Sequence, residues 1–152
     1  KLVLALFLML GMVSLAVPKY VNTGKLEKAG YVITDDEEYL FGFQKVIGAG
    51  EAGIVVGFLP IDDPNMTPEM VSNIVRETAP EGTKFVSSID NKRAYIKKYQ
   101  DGEMYTYSFV PKKQKEKSCH ISVLYMTTKN LSGANLEKIV NNTLDEVEGI
   151  LK

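Results

Sequence analysis

The distribution of hydrophobic positions divides the chain into a greasy leader and a mixed body. Lys1 is followed by an apolar run over residues 2–13, interrupted only by Gly11, and then by Ser14-Leu15-Ala16. A basic residue, a hydrophobic stretch and small side chains are the three regions of a secretory signal, and the small residues at Ser14 and Ala16 place its cleavage after Ala16. Residues 2–17 would extend about 24 Å as a helix at 1.5 Å per residue. A membrane-crossing helix uses roughly 20 residues. The pattern therefore predicts residues 1–16 as a signal peptide first, an uncleaved membrane anchor second and a core helix last. Either of the first two places the body outside the cytosol. Residues 17–28 hold Pro18, Asn22 and Gly24 and read as a polar tether. Residues 29–152 then form a single domain.

Within that body the period of the pattern switches between two and three-to-four. Gly30-Tyr31-Val32-Ile33 is a short β-type run, closed by the acidic Asp35-Asp36-Glu37-Glu38. Residues 39–47 alternate, with Tyr39, Phe41, Phe43 and Ile47 on one side. Residues 48–53 are turn material, and Ile54-Val55-Val56-Gly57-Phe58-Leu59 is apolar throughout, as in a central strand buried on both faces. Thr67-Pro68-Glu69 opens a helix: Thr caps free N–H groups, Pro fits the first helical position, and Glu suits the positive end of the dipole. Met70, Val71, Ile74 and Val75 are its predicted apolar stripe, and Pro80 and Gly82 end it.

Strands follow over residues 85–90 and 94–100, and Asp101-Gly102 signals a two-residue hairpin. A turn centred there pairs Ala94 with Phe109, Ile96 with Tyr107 and Lys98 with Tyr105 on one face. The other face sets Tyr95, Lys97 and Tyr99 against Ser108, Thr106 and Met104. A charged loop over residues 112–117 leads to a last strand over residues 119–127. Ser132 starts a final helix with Leu136, Ile139, Val140, Leu144, Val147, Ile150 and Leu151 at three- and four-residue spacing.

The predicted order is β-β-β-α-β-β-β-α, about six strands. Short turns between neighbours imply antiparallel pairing, so the fold class is α+β, an antiparallel sheet with helices packed on it. This order over residues 30–151, opening on Gly30-Tyr31-Val32-Ile33, resembles the PsbP-like fold. That family is named for a photosystem II extrinsic protein and shared by exported bacterial lipoproteins. The resemblance implies a small exported binding or assembly-accessory module without catalysis, and it carries over no functional residue.

Three motifs invite a chemical reading. Gly48-Ala49-Gly50-Glu51-Ala52-Gly53 matches the dinucleotide fingerprint, which requires a helix directly after its third Gly. Here three β-branched residues, Gly57 and Pro60 follow instead, so a glycine-rich hairpin turn is expected and no dinucleotide. Cys119 and His120 are adjacent, and strand neighbours point to opposite faces, so they form no nucleophile–base pair. One Cys in an exported chain leaves an intermolecular disulfide open as a minor reading. Asp35-Asp36-Glu37-Glu38 and Asp62-Asp63 lack the spacing of a calcium loop and read as solvated turns.

Composition narrows the function classes. The chain is 45% hydrophobic and 24% charged, as a globular domain is. Its net charge of −1 excludes a general nucleic-acid binder, and one Cys with one His excludes Cys- or His-rich metal clusters. No catalytic, cofactor-binding or metal-binding residue is nominated. The charge is unevenly spread, however. Residues 17–83 hold 5 basic and 11 acidic side chains, whereas residues 84–117 hold 9 basic and 4 acidic. Lys97, Lys98, Lys112, Lys113, Lys115 and Lys117 in that basic segment are the candidate surface for an anionic partner: a membrane surface, an envelope polymer or an envelope protein. A solubilised sheet edge is the plainer reading of the same lysines. Asn65 and Asn130 head sequons in predicted loops and are candidate glycosylation sites, while the sequon at Asn141 falls in a helix. The expectation is an exported, non-enzymatic cell-envelope binding or assembly-accessory module. The alternative is a small extracytoplasmic hydrolase built from scattered acids, Tyr and Lys.

Overall fold

The computed structural model describes residues 17–77 and 81–152. The predicted signal, its cleavage after Ala16 and the alternative anchor lie outside the described residues. The elements run α1 (Thr23–Lys28), β1 (Val32–Glu37), β2 (Leu40–Ile47), β3 (Ala52–Pro60), α2 (Pro68–Glu77), β4 (Lys84–Ile89), β5 (Ala94–Asp101), β6 (Met104–Pro111), β7 (Cys119–Thr127) and α3 (Gly133–Ile150). The strands form one antiparallel sheet in the order β1-β2-β3-β7-β6-β5-β4. Two meanders, β1 to β3 and β4 to β7, meet at the β3–β7 pair, and the connection bearing α2 carries the chain from β3 to the far edge. The class is α+β as the element pattern implies. The strand count is seven rather than about six, because the return arm of the second hairpin, β6, is a full strand of the sheet.

That hairpin turns one residue later than a turn centred on Asp101-Gly102 requires, which shifts each cross-strand partner by two. Asp101 pairs with Met104, so Gly102-Glu103 is the loop. Gly102 has φ +56° at the first loop position, the place where a type II′ turn needs Gly. Ala94 therefore faces Pro111, Ile96 faces Phe109 and Lys98 faces Tyr107. A slip of two leaves every side chain on its predicted face, because the strand period is two.

One face of the sheet is dry. Phe41, Phe43, Ile54, Val56, Phe58, Ile96, Tyr107, Phe109, Ile121 and Val123 pack there against Leu136, Val140, Leu144, Val147 and Ile150 of α3. Glycine-free alternation along β7 and the i, i+4 stripe of α3 are enough to specify this contact. Tyr31, Lys45 and Glu146 lock the helix across it. The Tyr31 hydroxyl donates to the Glu146 carboxylate at 2.7 Å, Lys45 pairs with the same oxygen, and the Lys45 ammonium lies 4.5 Å from the Tyr31 ring centre.

The stretch expected as a tether, residues 17–28, is instead folded onto the domain. Asn22 caps α1 through its side chain, Leu26 and Val21 are buried, and Val21 bridges to Leu151 beyond the end of α3. Buried apolar side chains at Val21 and Leu26 outweigh the local polarity that suggested a linker. The acidic run is not a turn over most of its length: Asp35, Asp36 and Glu37 lie within edge strand β1, which carries a bulge between Ile33 and Asp35. Strand β4, the opposite edge, has a bulge between Phe85 and Ser87. Charges and bulges on edge strands discourage pairing with another chain.

The second face is covered only in part. Helix α2 packs on β5, β6 and β7, and Thr67 caps it by accepting from the Met70 N–H at 3.2 Å. Of its predicted stripe only Val71 is buried, while Met70 and Ile74 remain 45% and 42% exposed. The helix docks through Val71 and Ser72, and a partner as narrow as one ten-residue helix cannot cover a seven-stranded sheet. Residues 48–51 form the β2–β3 hairpin turn, with Gly48 and Gly50 at φ +63° and +89°, while Ala52 and Gly53 of the expected turn already pair within β3. A strand follows the third glycine, not the helix that a pyrophosphate cradle needs.

Candidate functional site: a basic cleft at one end of the sheet

Three neighbouring concavities surround the β4–β5 turn. That turn is built by Asn91, whose side-chain oxygen accepts from the Arg93 and Ala94 N–H groups at 2.8 and 3.0 Å. The Lys112 N–H donates to the Arg93 carbonyl at 2.9 Å, which sets the turn beside the β6–β7 loop. The first concavity, of about 610 Å³, is lined by Lys92, Arg93, Lys112, Lys113, Gln114, Lys115 and Glu148. Five of these seven are cations.

Some of that charge is committed. Arg93 bonds Asp145 at 2.7 Å, Glu148 at 3.0 Å and the Asn141 carbonyl at 3.2 Å, which ties the turn to α3. Lys115 donates to the Glu148 carbonyl at 2.9 Å, a favourable place for a cation in the last turn of a helix. The Lys112 ammonium sits 5.2 Å from the Tyr95 ring centre. Lys92 and Lys113 have no ion pair among the described residues. The cleft thus holds a net positive charge on an exposed rim, which suits an anion of extended shape. The Gln114 side-chain oxygen is buried without a hydrogen-bond partner among the described residues.

Of the six nominated lysines, the fold gathers Lys112, Lys113 and Lys115 and separates the others. Lys97 is buried beneath α2. Lys98 lies on the α3 face, donating to Asn130 and stacked 4.7 Å from the Tyr105 ring centre. Lys117 is in the β6–β7 loop and does not line the cleft. Strand alternation explains the split of Lys97 from Lys98. The sequence reading missed Lys92 and Arg93. A signal for them existed: the β5–β6 register carries the residues before Ala94 to the side of those after Pro111. Asn65 and Asn130 are both exposed in loops, as a glycan site requires.

The second concavity, of about 400 Å³, lies between α2 and the β4–β5 hairpin and has Lys97 in its lining. The Lys97 ammonium donates to the Ser72 carbonyl at 2.9 Å and to the Asn73 side-chain oxygen at 2.6 Å. Burial first, and the Arg76 cation second, lower its pKa, while Glu69 and Glu77 oppose the shift. The hydroxyls of Ser72, Ser108 and Tyr99 are buried on this same side without partners among the described residues.

Cys119 and His120 point to opposite faces. Cys119 is wholly buried in the core, and burial pushes its thiol up to about 11. His120 sits under the segment leading into α2, with its Nε2 3.1 Å from the Met66 carbonyl. Burial lowers its pKa, and the Met66 hydrogen bond opposes that. Among the described residues no three His, Cys, Asp or Glu side chains group closely enough to hold a metal ion, and no helix is long and apolar enough to cross a membrane. No protein-family model matches the chain, and no curated protein matches it in sequence.

Proposed function

We propose that the chain is an exported, non-enzymatic module of the cell envelope, of the PsbP-like kind, that docks its basic cleft on an anionic membrane surface. The single observation that carries this reading is the convergence of Lys92, Arg93, Lys112, Lys113 and Lys115 on one open cleft. Anionic headgroups attract such clusters by about 1 kcal/mol per Lys or Arg near the surface.

The position of the cleft supports the same reading. Asn22 donates its N–H to the Ile150 carbonyl at 2.8 Å, and Lys152 donates to the Tyr20 carbonyl at 2.9 Å. The last turn of α3, which Lys115 and Arg93 hold through Glu148, is therefore bonded to the segment where the chain emerges from the apolar leader. A leader retained in a membrane brings the cleft towards the lipid headgroups. A leader removed after export leaves the cleft as the membrane contact.

Co-sedimentation with vesicles tests this. Residues 17–152 should bind vesicles containing phosphatidylglycerol, bind phosphatidylcholine vesicles weakly or not at all, and release in high salt. Lys92→Glu with Lys113→Glu should lower the partition onto anionic vesicles by at least ~30-fold, from about 2 kcal/mol of lost attraction. Equal binding to neutral and anionic vesicles, or a double variant that binds as the parent does, overturns the proposal.

A further inference from the structure

The concavity under α2 has a feature that docking on a surface does not use. Lys97 is 7% exposed, has no ion pair among the described residues, and lines a cleft of about 400 Å³. Protonated, its nitrogen carries three N–H groups and finds two acceptors, the Ser72 carbonyl and the Asn73 side-chain oxygen. Unprotonated, its two N–H groups match those acceptors and leave a lone pair. Ser108 stands directly opposite Lys97 in the β5–β6 register. The Ser108 and Ser72 hydroxyls are 0% and 1% exposed at the residue level, yet both lack partners among the described residues. Buried hydroxyls left unbonded are costly and uncommon, and one of them, Ser72, lines the same cleft as the amine, which marks a place where a polar guest can be held.

We infer that Lys97 is the amine of a covalent binding site that captures a small uncharged aldehyde or ketone as an imine. The amine nitrogen attacks the carbonyl carbon, and the C=O π electrons move to oxygen to give a carbinolamine. The two amine hydrogens then leave with that oxygen as water, and a C=N bond remains, so no oxidant or reductant is needed. The Ser72 hydroxyl, which lines the same cleft, is the donor for the carbonyl and carbinolamine oxygen. Glu69 and Asp90 also line the cleft with Lys112, so the lining carries acids and cations together and favours an uncharged guest. An amine desolvated in a pocket is a better nucleophile than one in water, because more of it is unprotonated at a given pH. Glu69, Glu77 and Arg76 of α2 are the charges that set that balance. This site shares only Lys112 with the basic cleft and does not rest on the membrane reading.

Reductive trapping tests it. The folded domain is incubated with propanal and cyanoborohydride at pH 7.5, and peptides are followed by mass spectrometry over time. The expected result is propylation of Lys97 about tenfold faster than of any exposed lysine, with the order lost when the protein is unfolded in urea before labelling. Label that accumulates on exposed lysines while Lys97 stays unmodified in the folded protein overturns the proposal.

Discussion

The two faces of the sheet are built from the same strands and solve opposite problems. On the α3 face, Phe43 meets Phe58 edge-on with ring centres 5.0 Å apart and meets Tyr31 at 5.0 Å. Polar atoms there are matched: the Tyr107 hydroxyl donates to the Leu131 carbonyl and accepts from the Leu131 N–H. On the α2 face, the Ser72, Tyr99 and Ser108 hydroxyls and His120 Nδ1 are buried without partners among the described residues. Stability is concentrated where apolar area is matched to apolar area. The slack sits where polar groups are covered but not satisfied, and such slack is what a binding site tends to show.

The largest contrast between the faces comes from paired truncations. Phe43→Ala removes a wholly buried ring from the aromatic cluster and should destabilise the domain by about 3–5 kcal/mol. Ser108→Ala, equally buried on the other face, removes a hydroxyl that has no partner. It should change stability by less than ~1 kcal/mol, with stabilisation the expected sign. Urea denaturation of both variants checks the pair. A Ser108→Ala loss as large as that of Phe43→Ala would mean the α2 face is as tightly specified as the core.

Lys97→Met sharpens the same contrast. Below its native pKa, lysine is charged in both states and burial penalises only the folded one. Between that lowered pKa and about 10.4, the unfolded chain binds a proton that the native state does not, so wild-type stability rises with pH. Methionine fills the same volume without a charge. The variant should be about 1 kcal/mol more stable than the parent at pH 7, with the gain shrinking towards pH 10.5. Denaturation at pH 7 and 10 measures it, and a variant less stable at both pH values shows that the Ser72 and Asn73 bonds outweigh the desolvation.

Most of this fold was legible in the sequence, for a definable reason. The bounds of β7 and the start of α3 after Ser132 are written in local pattern and spacing, and tertiary contacts do not override them. The failures came where distant partners decide. Polar residues 17–28 looked like a linker until Val21 found Leu151. Asp35 and Asp36 read as a turn because only the pairing with β2 reveals the edge strand. The cleft was half legible: Lys112, Lys113 and Lys115 are a visible run, but Lys92 and Arg93 join them only once the hairpin register is known. The Lys97 site was hidden more deeply, since a lysine in an alternating strand reads as solvent-facing, and nothing local says that α2 lies over it.

The smallest expected effect lies at His120, on the same partly satisfied face. Burial holds its pKa below the ordinary value, so the native imidazole stays neutral at a pH where the unfolded one has begun to protonate. Above about pH 6.5 both states are neutral, and its contribution to stability does not vary. As pH falls below 6.5 the unfolded state gains a proton first, and stability drops until the native group titrates too. One proton bounds this slope at ~1.4 kcal/mol per pH unit. His120→Gln keeps a donor for the Met66 carbonyl and removes the titration. It should flatten the fall in stability between pH 6.5 and 5 relative to the parent while leaving stability at pH 8 within about 1 kcal/mol. An unchanged acid limb in the variant would show that His120 does not cause it.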